Sequence, residues 1–122
     1  MNSYLLVFIG GGIGSLLRLV VGRFVTRMFP MTFPIGTFVV NVLACVLLGL
    51  FAGVFISKFS QSENWRMFVA VGVCGGFSTF SSFSLENIEL MRSGHFVTAF
   101  AYVMLSVACC LLATWAGAQI TK

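Results

Sequence analysis

A chain of 122 residues has room for one domain. Apolar residues make up 59% of it and charged residues 8%, and mean hydropathy is +1.05. Three acidic and seven basic side chains cannot furnish the surface of a soluble domain, which excludes a cytosolic enzyme, a disordered chain and a secreted disulfide scaffold. The class is integral membrane, and apolar runs long enough for spanning helices make it all-α.

The net charge of +4 does not point to nucleic acid. Arg18, Arg23, Arg27, Lys58, Arg66, Arg92 and Lys122 are scattered near the ends of apolar runs. There they anchor helices at lipid headgroups, whereas a nucleic-acid footprint clusters its cations.

A spanning helix needs roughly 20 mostly apolar residues. Four runs meet this, at about 3–28, 35–58, 64–91 and 96–120, in a single transmembrane domain covering 1–122. The gaps between them are short hairpin connections. No basic segment precedes the first run and no small-residue cleavage site follows it, so it reads as a retained helix. Pro34 suits the first turn of the second helix, and Ser60-Gln61-Ser62-Glu63 has capping-box spacing before the third.

With four spans, Lys58, Arg66 and Lys122 flank one side, and Arg23, Arg27 and Arg92 the other. The charge rule is therefore silent on orientation. Either the helix ends lie elsewhere or one side dominates anyway, or the chain inserts both ways and pairs as an antiparallel dimer. Gly10-x-x-x-Gly14, Gly49-x-x-x-Gly53 and Gly72-x-x-x-Gly76 have the spacing of close helix contacts. Each serves packing within one chain or a seam between two.

The second run carries Thr37 and Asn41 on one face. A mid-span Asn needs a bonding partner. Its amide suits an anion, and equally suits helix–helix contact. Arg18, in the first run, reaches an interface or a water-filled vestibule.

The third run is the anomaly. Gly75-Gly76 is followed by the hydroxyl residues Ser78, Thr79, Ser81, Ser82 and Ser84, interleaved with Phe80 and Phe83. A Gly-Gly pair lets the backbone leave helical geometry, and irregular backbone at membrane depth survives only inside protein or beside water. The pattern predicts a helix broken near 75–80, with freed carbonyls able to hold a small cation such as sodium. The alternative is a continuous helix whose hydroxyls bond back to it. The positive edges of the Phe rings, beside hydroxyls, suit a dehydrated anion. Glu86 is an intramembrane carboxylate and hence a functional candidate; Glu89 lies one turn nearer water.

Cys45, Cys74, Cys109 and Cys110 lie in apolar stretches without a CxxC pair and read as packing residues. His95 stands alone. The chain has no Asp, no phosphate-binding loop and no catalytic carboxylate pair, so an enzyme is not expected.

On these residues the chain resembles the Fluc family of fluoride channels, also called CrcB. The resemblance spans nearly the whole chain. It rests on Gly11-Gly12 through Gly14 to Arg18, on Pro34-x-Gly36-Thr37-x-x-x-Asn41, and most specifically on Gly75-Gly76-Phe77-Ser78-Thr79-Phe80-Ser81-Ser82-Phe83 with Glu86. It implies a passive, fluoride-selective channel of the cell inner (plasma) membrane that exports fluoride and lowers its toxicity. It further implies a dual-topology antiparallel homodimer with two pores. Asn41 would then donate to fluoride at a vestibule. Phe80 and Phe83 would turn ring edges into the pore, and Ser81, Ser84 and Thr114 would form a polar track. Glu86 would lie near the far end. A structural sodium ion would sit on the two-fold axis, held by the Gly75 and Ser78 carbonyls of both copies. Relatives often have Thr-Thr-Phe where this chain has Ser78-Thr79-Phe80, a change that a carbonyl ligand tolerates. Cys110 stands where some relatives carry a hydroxyl.

The competing reading is a dual-topology exporter of small drugs, which has a similar size and four spans. Proton-coupled antiport needs an embedded acid, typically in the first helix, and this chain has none in its first two.

Overall fold

The computed structural model describes residues 2–57 and 63–121. Within them the chain is helical, in the order α1 (Ser3–Met28), α2 (Ile35–Ser57), α3 (Glu63–Trp65), a π-helical segment π1 (Arg66–Cys74), α4 (Gly75–Phe77), α5 (Phe80–Arg92) and α6 (Phe96–Thr121). Four stretches are long and apolar enough to cross a membrane: Ser3–Met28, Ile35–Val54, Glu63–Arg92 and Phe96–Thr121. The protein is therefore a multi-pass membrane protein. The capping-box residues Ser60, Gln61 and Ser62 lie outside the described residues.

Local chemistry sets the helix ends. The Asn2 side chain accepts the Tyr4 N–H at 2.7 Å and caps α1. Pro34 sits just ahead of α2 rather than inside its first turn, and its carbonyl accepts the Phe38 N–H at 3.1 Å. Helix α5 closes with a Schellman arrangement. The Gly94 N–H bonds to Met91 O and the His95 N–H to Leu90 O, and Gly94 takes φ +82°, which a side chain would disfavour.

The spans pair in two close contacts. Helix α1 lies along π1 and α4, and α2 along α6. Glycine explains both. A Cβ on Gly10 would stand 2.6 Å from the Phe68 carbonyl oxygen, and one on Gly14 would collide with the Val73 carbonyl. Across the other crossing, a Cβ on Gly117 would meet Val46 O at 2.7 Å, and one on Gly49 would strike Thr114 O. Backbones touch where no side chain intervenes, as in tightly packed membrane helices. Each of the three glycine pairs singled out by spacing meets another helix of the same chain: Gly72 and Gly76 abut Gly10 and Gly11, and Gly53 abuts Ala118 and Thr121.

Two small clusters form the interior. Val40, Ala44 and Phe77 pack with Val21; Phe83, Leu90, Ala99 and Tyr102 pack with Phe33 and Phe38. Most other large apolar side chains point outward, among them Leu5, Phe8, Leu16, Val20, Phe24, Phe100, Leu111 and Trp115. Outward apolar faces on every long helix fit a hydrocarbon solvent.

Candidate functional site

Between Phe77 and Phe80 the backbone is extended: Ser78 has φ −78°, ψ 156° and Thr79 has φ −149°, ψ 113°. Asn41 of α2 holds this point. Its Oδ1 accepts the Thr79 N–H at 2.8 Å, and its Nδ2 donates to the Thr79 carbonyl at 3.1 Å. One side-chain amide thus satisfies both backbone groups of an extended residue, as a neighbouring strand would. The Thr79 hydroxyl in turn accepts the Ser82 N–H at 3.2 Å and caps α5. It also lies 3.3 Å from Ser81 Oγ. The partner of Asn41 is therefore backbone. Its second amide hydrogen has no protein acceptor among the described residues.

Thr79 forms part of the walls of two cavities. The larger, about 1020 Å³, opens among α1, α2 and α5. Arg18, Arg23 and Arg27 line it, as do Ser15, Gly36, Thr37, Ser82 and Glu86. Three guanidinium groups facing one carboxylate make it attractive to anions. Glu86 is fully engaged: Thr37 Oγ1 donates to Oε2 at 2.8 Å, and Tyr102 Oη donates to Oε1 at 2.9 Å. These two bonds join α2, α5 and α6 through one carboxylate.

The smaller cavity, about 240 Å³, is bounded by Asn41, Cys45, Ser78, Phe80, Phe83, Ser106, Val107 and Cys110. The Phe80 and Phe83 rings are 5.4 Å apart with planes at 48°. Phe83 is 9% exposed and packs on Tyr102 at 4.9 Å; Phe80 is 79% exposed in the single chain.

The structure thus gathers Arg18, Thr37 and Glu86 at one cavity, and Asn41, Ser78, Phe80 and Phe83 at the other. It does not bring the remaining candidates there. Ser81 and Ser84 are exposed on α5, Gly75 is exposed, and Thr114 lies at the Gly49 crossing; none of the four lines either cavity. Sequence reasoning missed Tyr102 and Ser106. Tyr102 is entirely buried, and the Ser106 hydroxyl is buried with no hydrogen-bond partner among the described residues. Both are hydroxyl residues one turn apart within an otherwise apolar span, and that spacing was the available signal. Among the described residues no three His, Cys, Asp or Glu side chains gather as a metal site.

The family model for the CrcB-like protein, Camphor Resistance (CrcB), matches residues 5–118. This chain belongs to the CrcB family. It is 41% identical over 122 residues to the "Fluoride-specific ion channel FluC" of Flavobacterium psychrophilum, covering 100% of this chain and 98% of that one. The protein of the same name from Phocaeicola vulgatus is 40% identical over 100% of both chains. That from Rhizobium etli is 42% identical over 100% of this chain and 98% of its own. These CrcB relatives are named as ion channels, a non-enzymatic function.

Proposed function

We propose that the chain is a passive fluoride-selective channel of the plasma membrane that exports fluoride from the cytoplasm. The observation that carries this reading is the junction at Thr79. There a basic cavity meets an aromatic one, and the Asn41 amide stands at the boundary. The names of the relatives supply the ion.

Fluoride is small and strongly hydrated, so a selective route replaces its water with donors. Arg18 and its neighbours concentrate anions at the mouth. The free Asn41 N–H and the ring edges of Phe80 and Phe83 are neutral donors deeper in, strong enough to admit the ion and weak enough to release it. In this reading Ser81, Ser84 and Thr114 complete a polar track, and Glu86 stands with Arg18 at the mouth and not at the far end.

The functional unit is an antiparallel homodimer of dual topology with two pores. Balanced flanking charge supports it, and a second copy would cover Phe80. The Ser78–Thr79 interruption of the third span then lies mid-membrane, sheltered by protein. A structural sodium ion on the two-fold axis belongs to the same reading. The donor set fits. The Thr79 N–H, which would serve the Gly75 carbonyl in a continuous helix, goes to Asn41, and the Ser82 N–H goes to Thr79 rather than Ser78. Two hard, neutral carbonyl oxygens per chain suit such an ion, and two copies supply four. Bound there, it would raise the positive potential near the pores.

Passive conduction is tested with fluoride-loaded liposomes. Efflux through a channel stalls unless valinomycin carries compensating potassium, and an imposed proton gradient does not replace it. Efflux driven by the proton gradient alone contradicts the proposal.

A further inference from the structure

The smaller cavity holds two groups that the proposed fluoride route leaves unused. Cys45 of α2 and Cys110 of α6 both line it. Both are free and half-buried. The frame behind them is rigid: Gly49, one turn beyond Cys45, and Gly117 hold α2 against α6 backbone to backbone. The same cavity contains the Ser106 hydroxyl, 6% exposed and without a partner among the described residues. The protein's own polar groups therefore do not fill it. Cys109, next in chain to Cys110, is not among its lining residues, and Cys74 is buried elsewhere in the helix contact.

Sulfur is a soft donor. With no third His, Cys, Asp or Glu gathered there, the pair does not offer the four ligands zinc prefers. Two thiols on one cavity instead match the linear, two-coordinate preference of soft d10 cations: copper(I), silver(I) and mercury(II).

We propose that Cys45 and Cys110 form a two-thiol site for one such cation, and that the cation held there obstructs the cavity beside Asn41, Phe80 and Phe83. The obstruction rests on the reading of this cavity as part of the fluoride route; the site itself does not. Binding of Hg²⁺ forms two S–Hg bonds and releases both thiol protons to water, with no change of oxidation state.

The purified full chain is titrated with Hg²⁺ alone, followed by sulfur-to-mercury charge-transfer absorbance and by the thiols still open to an aromatic disulfide reagent. One Hg²⁺ is expected per chain at this site. C45S and C110S each lose that uptake, since serine offers a hard donor of similar shape; C109S keeps it. In liposomes, Hg²⁺ stops fluoride efflux through the wild type and C109S, and dithiothreitol restores it. C45S and C110S, each compared with its own metal-free rate, continue to conduct. Unchanged uptake in both C45S and C110S would overturn the site. Uptake confined to the pair, with wild-type efflux indifferent to Hg²⁺, would overturn the obstruction. Absence of fluoride efflux without metal would contradict the channel reading instead, and the titration would still judge the thiol pair.

Discussion

Asn41 joins two spans through a single residue of extended backbone, and its loss leaves the N–H and the carbonyl of Thr79 without their partner. Each buried backbone group so stranded costs about 1–3 kcal/mol. Asn41→Leu is therefore expected to lower the thermal midpoint and abolish fluoride efflux together. Asn41→Asp keeps the acceptor for the Thr79 N–H but turns a carboxylate on its carbonyl, so it too loses efflux. Unchanged efflux in Asn41→Leu sinks the role given to this amide. Phe80→Ile combined with Phe83→Ile removes both ring edges while keeping apolar bulk; flux should vanish with assembly intact, as gel filtration and efflux together report. Glu86→Gln keeps one acceptor oxygen and places an NH2 against the other hydroxyl, whose oxygen can accept from it once the hydroxyl turns, so passive efflux should largely persist. Loss of transport with a requirement for a proton gradient would favour the exporter. At this scale the sequence showed that a mid-span Asn and a mid-span Glu needed partners. It did not show which, because Thr79 lies 38 residues from Asn41 and Thr37 lies 49 from Glu86. Tyr102 escaped notice because its ring blends into an apolar span.

Among the elements, glycine decides which helices touch. The α1 contact with π1 and α4 has no room for a side chain at Gly14, where the obstruction is main-chain oxygen that cannot rotate away. Gly14→Val is expected to yield little monodisperse protein after extraction. Gly22→Ala puts its new carbon 3.8 Å from a Val40 methyl, an ordinary contact, and should assemble like the wild type. Equal behaviour of the two variants in gel filtration contradicts this packing account. The four spans were legible because hydrophobic length is a strong constraint in lipid. The pairing of α1 with π1 was not, since spacing of small residues marks a close contact without naming the partner. Nor was the π winding of Arg66–Cys74 legible. The residue pattern of the segment is that of an ordinary apolar helix.

Over the whole molecule, apolar side chains face outward on every long helix while polar groups collect around the two cavities that meet at Thr79. Lipid covers most of that outer surface, and in the proposed assembly a second, inverted copy covers the rest. If flanking charge leaves orientation undecided, reporters fused at the C-terminus should be detected on both sides of the membrane. Detection on one side alone rules out the antiparallel pair. Shifting the balance by adding basic residues at one set of helix ends should then bias insertion and lower flux. The central claim is selectivity for fluoride, and paired liposome experiments test it most directly. One batch is loaded with fluoride and one with chloride, both with valinomycin, and release is followed with ion-selective electrodes. The account expects rapid fluoride release and no chloride release. Equal release of both ions, or no release from protein shown to be folded and dimeric, would contradict it.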